Sequence, residues 1–475
     1  MATKLDTIAN HDIIERLFAP INYERQSPIA PGDFKLSNMY RLLERLGNPH
    51  LTCPVIHVAG TKGKGSVCTM IGSILSQAGY RTGIYNSPHL ERINQRIIVE
   101  GKEVTDADLT GVLKKIEPTL AELDAEAERN ETKKLTFFEV ITSAAFQLYS
   151  DFGLDAVILE VGMGGRLDST NVCQPEVSVI TNISLDHTRQ LGSTVDKIAA
   201  EKGGIIKAKV PVVSGVTNSP AREVIQSIAA QNDSTVLELD RDFKTVTNHN
   251  QTFSCFGIDQ LQCGLRGSHQ RENAALAIAT CHVLRESGWK ITDADIHNGI
   301  AAAKLPGRCE VFQLQSDSTS DSDSADSTVN VILDIAHNEA STTALANALE
   351  SEVKEFSEAK PTTLLFAASR EKDVAAMLKP LLRLVDHVIL TKYQDNPRGR
   401  SVTELFKITN ELVNQLSKTD SKTPTISQSS NPATAWHLAW ASSQTSNSTS
   451  AICVTGSAFL IAELRPTIMN HSPGV

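Results

Sequence analysis

Val55-Ile56-His57-Val58-Ala59-Gly60-Thr61-Lys62-Gly63-Lys64-Gly65-Ser66 is the stretch from which the fold can be read. Its first five residues are a short apolar run of β type, and the glycines from Gly60 to Gly65 break that run. An amphipathic segment, Ser66 to Ala78, follows, with Gly79 placed to end it as a helix C-cap. Strand, Gly-x-x-Gly-Lys-Gly-Ser and helix in that order make a phosphate cradle. Glycines let backbone N–H groups curl round phosphate oxygens, and the helix N-terminus adds partial positive charge. The motif is a shortened relative of the P-loop, in which Lys64 reaches the β- and γ-phosphates and the Ser66 hydroxyl meets Mg²⁺. A plain glycine-rich βα turn is the alternative, but the order of the elements favours nucleotide binding.

Working outward, Arg81 to Asn86, Asp155 to Val161 and Val177 to Ile183 are further strand candidates. Their near-continuous apolar character suits a parallel sheet covered on both faces. Helical segments at Phe137 to Tyr149, Val195 to Ile206 and Glu272 to Glu286 alternate with them, which means an α/β domain. A second series begins after Lys304-Leu305-Pro306-Gly307. Its strand candidates are Val329 to Asp334, Thr362 to Ala367, His387 to Leu390 and Ala451 to Thr455. Helices are expected between them, at Glu339 to Glu350, Asp373 to Leu384, Val402 to Leu416 and Ala433 to Ser442. The expected fold class is therefore α/β: a P-loop-containing ATP-binding domain with a mostly parallel sheet over 1–305, and a smaller C-terminal Rossmann-like α/β domain over 306–475. Three tracts rich in Ser, Asp and Thr, namely Ser316 to Thr328, Ser417 to Ser430 and Ser442 to Ser450, read as solvated loops.

The chain has 475 residues, enough for two or three domains, and with 41% hydrophobic and 21% charged residues it can bury ordinary cores. A formal net charge of -10 argues against a broad nucleic-acid face while permitting a local basic pocket. No apolar run is long enough to span a bilayer, and Met1 to Asn10 has no apolar stretch behind it of the kind an export signal carries. The 8 cysteines form no Cys-x-x-Cys and several lie in apolar runs, as buried thiols do. A cytoplasmic protein is expected, with small-molecule substrates and neither nucleic acid nor membrane as partner.

Other candidates stand at strand ends, where open α/β sheets bind ligands. Ser87-Pro88-His89 follows the second strand. Glu160 ends the run before Gly162-Met163-Gly164-Gly165-Arg166; near a phosphate cradle it suits Mg²⁺, or it pairs with Arg166. His187, after Asp186, is either a satisfied structural histidine or a third donor at this rim. Lys202, in Glu201-Lys202-Gly203-Gly204, reads on its own as a solvated lysine or a helix C-terminal charge.

Taken together and in order, these segments resemble the Mur ligase superfamily, and within it folylpolyglutamate synthase/dihydrofolate synthase. To those already quoted are added Leu185-Asp186-His187-Thr188, His269-Gln270-Arg271-Glu272-Asn273-Ala274-Ala275, Leu305-Pro306-Gly307-Arg308 and Asp334-Ile335-Ala336-His337-Asn338. The resemblance implies an ATP-dependent acid–amino-acid ligase that adds L-glutamate to dihydropteroate or to a reduced folate through an acyl phosphate. It implies that Lys62, Gly63, Lys64 and Gly65 hold the ATP phosphates, with Asn273, Arg308 and Asp334 as further ATP contacts. Ser66 and Ser87 would bind one Mg²⁺. Glu160 and His187 would bind a second, Lys202 would be carbamylated and so able to bind Mg²⁺, and Lys64, His187, Lys202 and Glu160 would be catalytic. The pterin would lie near Asp33, Phe34, Lys35, Thr136, Leu167, Asp168 and Ser169, and His337 would position glutamate. A monomer is implied. Lys35 and Ser169 stand where relatives usually carry Gly and Ala. Two other readings stay open: a Mur-type ligase acting on another carboxylate, and a non-catalytic ATP-binding module.

Overall fold

The computed structural model describes residues 35–247, 252–315, 328–417, 423–444 and 449–471. It divides into two units, one drawn from Met1–Gly264 and Arg271–Ala303, the other from Leu265–Gln270 and Lys304–Val475.

The first unit runs α1 (Ser37–Arg45), β1 (Val55–Ala59), α2 (Lys64–Gln77), β2 (Thr82–Tyr85), β3 (Ile97–Val99), β4 (Lys102–Glu103), α3 (Asp106–Arg129), α4 (Phe137–Phe152), β5 (Ala156–Glu160), β6 (Val177–Ile180), α5 (Thr188–Leu191), α6 (Val195–Gly203), β7 (Val212–Ser214), α7 (Ser219–Gln231), β8 (Val236–Glu238), β9 (Val246–Thr247), β10 (Phe253–Cys255), β11 (Ile258–Leu261), α8 (Ser268–Glu286) and α9 (Asp293–Ala302). Its main sheet has the order β4-β3-β2-β5-β1-β6-β7-β8. All pairings from β2 to β8 are parallel, and β3 and β4 add an antiparallel edge. β1, β5 and β6 are buried along their whole lengths, which is why their sequences are mostly apolar rather than alternating, with the polar His57, Glu160 and Ser178 buried among them. Each buried Val, Ile or Leu here contributes about 1.5–3 kcal/mol. α2 packs closely on α9: the Ser73 hydroxyl donates to the Gly299 carbonyl at 2.7 Å, and a Cβ at Gly299 would collide with the Ile74 backbone.

This topology positions the site. β1 lies between β5 and β6, with Val58 opposite Glu160 and Ala59 opposite Ile180. The turn after β1 is therefore flanked by the ends of two strands that come about a hundred residues later in the chain.

The second unit contains β12 (Glu310–Gln315), β13 (Thr328–Leu333), α10 (Glu339–Ser351), α11 (Lys354–Ser357), β14 (Thr362–Phe366), α12 (Val374–Leu378), β15 (His387–Leu390), α13 (Val402–Leu416), β16 (Thr425–Gln428), α14 (Pro432–Ser443), β17 (Ser450–Thr455) and α15 (Ala458–Asn470). Its sheet, β12-β13-β17-β14-β15-β16, is parallel except for β12. The segment Leu265–Gln270 joins this unit because Arg266 grips Glu355 and the Gly267 N–H donates to Glu352 at 3.0 Å.

Three expectations need correction. The tract Ser417 to Ser430 is not wholly loop: Thr425–Gln428 forms an edge strand paired with β15, carried by the β-favouring Thr425 and Ile426. Within Ser442 to Ser450, Ser442 and Ser443 finish α14 and Ser450 opens β17. The helix expected over Asp373 to Leu384 stops at Leu378, ahead of Pro380, whose ring nitrogen cannot donate. Residues 316–327 of the first tract lie outside the described residues.

Candidate functional site

The cradle is built around two backbone conformations. Gly60 has φ +149 and Gly63 φ +83, and a Cβ on either would meet another side chain at under 3.0 Å: Thr181 Oγ1 beside Gly60, Asn273 Oδ1 beside Gly63. Only glycine serves at these positions. Asn273, expected to contact ATP, thus sits directly against the turn that α2 caps. The loop after β6 holds the cradle from the other side. The Thr61 N–H donates to the Asn182 carbonyl at 2.8 Å, and the Asn182 amide pairs with both the N–H and the carbonyl of Lys62 at 3.0 Å. Thr181 Oγ1 donates to the Lys62 carbonyl at 2.6 Å. Thr181 and Asn182 were not anticipated; polar residues directly after an apolar strand at this rim were the signal available.

Lys64 and Lys202 converge on one acceptor. The Gly60 carbonyl receives Lys64 Nζ at 3.2 Å and Lys202 Nζ at 2.8 Å. Lys202 is neither a solvated lysine nor a free helix-end charge: it is buried in the last turn of α6. Burial first, then the positive Lys64 beside it, pull its pKa down to about 7, while Asp186 and Asp168 oppose the shift. Asp186 is thus a member of the site that pattern reading passed over in favour of its neighbour.

Glu160 ends β5 and accepts the Ser87 N–H at 3.1 Å, while Arg166, its possible partner from sequence, pairs with Glu201 at 2.8 Å. The Ser87 Oγ is buried and has no hydrogen-bond partner among the described residues. A buried hydroxyl oxygen without a partner beside a carboxylate, with the buried Ser66 on the first turn of α2, fits a hard cation with oxygen ligands. Among the described residues no three His, Cys, Asp or Glu side chains gather into a group able to hold a metal. His187 is exposed, in a left-handed turn (φ 47) ahead of α5, and its N–H donates to Asp186 Oδ1 at 2.9 Å.

The residues assigned to the pterin scatter in character. Asp33 and Phe34 lie outside the described residues, and Lys35 is exposed. The Thr136 side chain caps α4 in a reciprocal box with Glu139. Leu167 is half-buried, and Ser169 is buried in the short turn Ser169–Val172. Asp168 is buried, and burial raises its pKa although Thr170 and Met163 N–H groups donate to it at 3.0 and 2.9 Å. It ends a chain that starts on β1. The Thr170 hydroxyl donates to Asp168 Oδ1 at 2.5 Å, so its oxygen accepts from His57 Nε2 at 2.8 Å. His57 is fully buried, and burial holds its pKa at about 3, so the ring is neutral with its proton on Nε2.

In the second unit, Asp334 follows β13 and shapes the turn that carries Arg308. Its Oδ2 accepts the Cys309 N–H at 2.9 Å and its Oδ1 the Ala336 N–H at 2.8 Å. Arg308 is half-buried between Gly307 (φ 68) and Cys309 (φ 44). His337 is exposed; its Nδ1–H donates to the Ile335 carbonyl at 3.0 Å, and the Gly456 N–H donates to Ala336 next to it.

Residues 58–281 match the Mur ligase middle domain, and residues 316–467 match the dihydrofolate synthetase C-terminal domain. The dihydrofolate synthase/folylpolyglutamate synthase of Bacillus subtilis (strain 168) is 34% identical over 391 residues, 80% of this chain and 84% of that one. The chain belongs to the folylpolyglutamate synthase/dihydrofolate synthase family. Among solved members of the family, an Escherichia coli protein in complex with DHPP and ADP superposes with a TM-score of 0.74 at 29% identity, covering 97% of this chain and 98% of that one. The bifunctional folylpolyglutamate synthase/dihydrofolate synthase of Yersinia pestis, complexed with AMPPNP and Mn ion, does so with a TM-score of 0.73 at 29% identity and the same coverage. The mostly parallel α/β sheets described above are those of this family. No helix of the described residues is long and apolar enough to cross a membrane.

Proposed function

We propose that this chain is an ATP-dependent ligase that joins L-glutamate to dihydropteroate, releasing ADP and phosphate. The observation that carries the reading is the convergence of Lys64 and Lys202 on the Gly60 carbonyl, inside a cradle flanked by Glu160 and Asp186. A module that only held a nucleotide would need the cradle and Lys64, but not a second buried lysine with its pKa near neutrality. The match of residues 316–467 to the dihydrofolate synthetase C-terminal domain favours addition of the first glutamate. The name of the Bacillus relative carries both activities, which supports extension of a folate glutamate tail as a second reading.

The chemistry has to join two unreactive partners. A carboxylate resists nucleophiles, so the pterin carboxylate first attacks the γ-phosphate in line and becomes an acyl phosphate; the glutamate amine then displaces phosphate. Lys64 and the cradle N–H groups neutralise charge on the transferring phosphoryl group, where electrostatic stabilisation supplies most of the rate. Ser66 and Ser87 would hold one Mg²⁺, and Glu160, His187 and Lys202 a second. When bound, these ions supply further charge neutralisation. Lys202 joins an oxygen-rich ligand set only as an anion, and a carbamate makes it one. Carbon dioxide adds to the neutral amine, which forms the N–C bond and gives up one proton to solvent to leave the carbamate anion; a pKa of about 7 keeps that neutral amine available near neutral pH. Arg308 and Asp334 would contact ATP, His337 the incoming glutamate, and Leu167 to Ser169 the pterin. A monomer working in the cytoplasm completes the reading; the free state of the eight cysteines suits a reducing compartment.

The test is product analysis with dihydropteroate and with a reduced folate, side by side, each with ATP and glutamate. ADP, phosphate and a one-glutamate product from dihydropteroate are expected. ATP hydrolysis that neither pterin stimulates would refute the ligase reading.

A further inference from the structure

The turn that presents Arg308 is held from three directions. Asp334 takes the Cys309 N–H at 2.9 Å, and the Ile335 N–H takes the Gly307 carbonyl at 2.9 Å. The third hold is Glu310, whose Oε2 accepts the Gly307 N–H at 2.9 Å. That same carboxylate is gripped from behind by Arg465 of α15: Nε reaches Oε2 at 2.9 Å and Nη2 reaches Oε1 at 2.7 Å. Arg465 is 8% exposed, and its guanidinium lies 6.0 Å from the Phe312 ring centroid, against which its aim is set.

The arrangement is more specific than an ion pair kept for stability. A fork-to-fork pair fixes the plane of the carboxylate, and the oxygen so fixed is the one that captures Gly307. We infer that Glu310 and Arg465 are a positioning pair that fixes the turn presenting Arg308. This deepens the proposed function, resting on its reading of Arg308 as an ATP contact. Without Arg465, Glu310 loses its counter-ion and its orientation, the Gly307 N–H loses its acceptor, and the turn that presents Arg308 loses one of its three holds. Binding of ATP suffers, while the steps that Lys64 and Lys202 serve in the first unit do not.

The experiment compares R308A, E310Q and R465K in the full-length protein, by steady-state kinetics with ATP varied at saturating pterin and glutamate. Circular dichroism and thermal melting report folding. R465K keeps the charge and loses the fork; E310Q keeps one acceptor for Gly307 and loses the charge. The expected result is a KM for ATP raised about tenfold in R308A and R465K, the scale of one charge-assisted hydrogen bond, with E310Q between them and wild type. In R465K and E310Q the kcat and the KM for glutamate stay within about twofold, a split that loss of stability alone does not produce. If R308A raises the KM for ATP while R465K and E310Q leave it unchanged, the positioning role is overturned and the ATP contact stands. If R308A itself leaves it unchanged, the ATP reading of Arg308 fails and the inference falls with it.

Discussion

Replacing Gly63 with alanine would disturb the cradle through one identifiable neighbour. With φ at +83, an L-residue pays about 1–2 kcal/mol of backbone strain, whatever space surrounds it. Its Cβ would also lie under 3.0 Å from Asn273 Oδ1, so the amide must leave the turn. Displacing it forfeits whatever hydrogen bond it makes to ATP, about 0.5–1.5 kcal/mol, or up to about tenfold in KM. The two effects separate in a double-mutant cycle on Gly63→Ala and Asn273→Ala. Once Asn273 is truncated, the collision is gone and only the strain remains. The double variant should therefore raise the KM for ATP little beyond the larger single effect, with an interaction energy of about 1 kcal/mol. Initial rates with ATP varied measure this, and thermal melting reads the strain separately. Fully additive effects on KM would mean that Cβ does not act through Asn273, and the described contact would not be the one that matters.

Other outcomes follow from the same geometry. Ser87→Ala should raise the Mg²⁺ concentration needed for half-maximal activity without lowering the melting temperature, since the Oγ it removes has no partner to lose among the described residues; an unchanged Mg²⁺ requirement would count against a metal at that oxygen. For Lys202, the unprotonated fraction of an amine with pKa about 7 rises from about a tenth at pH 6 to about nine tenths at pH 8. Uptake of carbon-13-labelled bicarbonate, followed by NMR, should climb over that range, and Asp186→Asn should shift the climb to lower pH because Asp186 favours the charged amine. A profile centred near the ordinary lysine value would contradict the burial argument. His57→Leu leaves the Thr170 hydroxyl without its donor and should cost about 1–3 kcal/mol of stability in chemical denaturation.

What the sequence discloses depends on how local the cause is. The cradle was legible because its strand, glycines, lysine and helix are contiguous, and the strands because burial on both faces leaves an apolar run that needs no partner to be seen. The sheet order was not, since nothing in Val55–Ala59 names β5 and β6 as its neighbours. Asp186 was given no role beside His187 because its effect works through space on a lysine in α6. The character of Lys202 is set by burial and by Lys64, and a bare Glu-Lys pair carries no trace of either. Asp168 and Thr136 show the converse: resemblance marks them, and the structure reveals what their side chains already hold, a glycine-rich loop in one case and the first turn of α4 in the other. The edge strand β16 hid inside a polar tract because a strand at a sheet edge needs no apolar face.

The place of β1 between β5 and β6 also sets a schedule for synthesis. When the glycine turn leaves the ribosome, neither strand that will flank it has been made, and both contacts close loops of about a hundred residues. A nascent chain halted before Val177 would expose the bare edge of β1, with Asn182 not yet present to fasten the turn. Competence to hold a nucleotide should therefore emerge late and abruptly during translation, and until then this apolar edge is a surface on which chaperones would act.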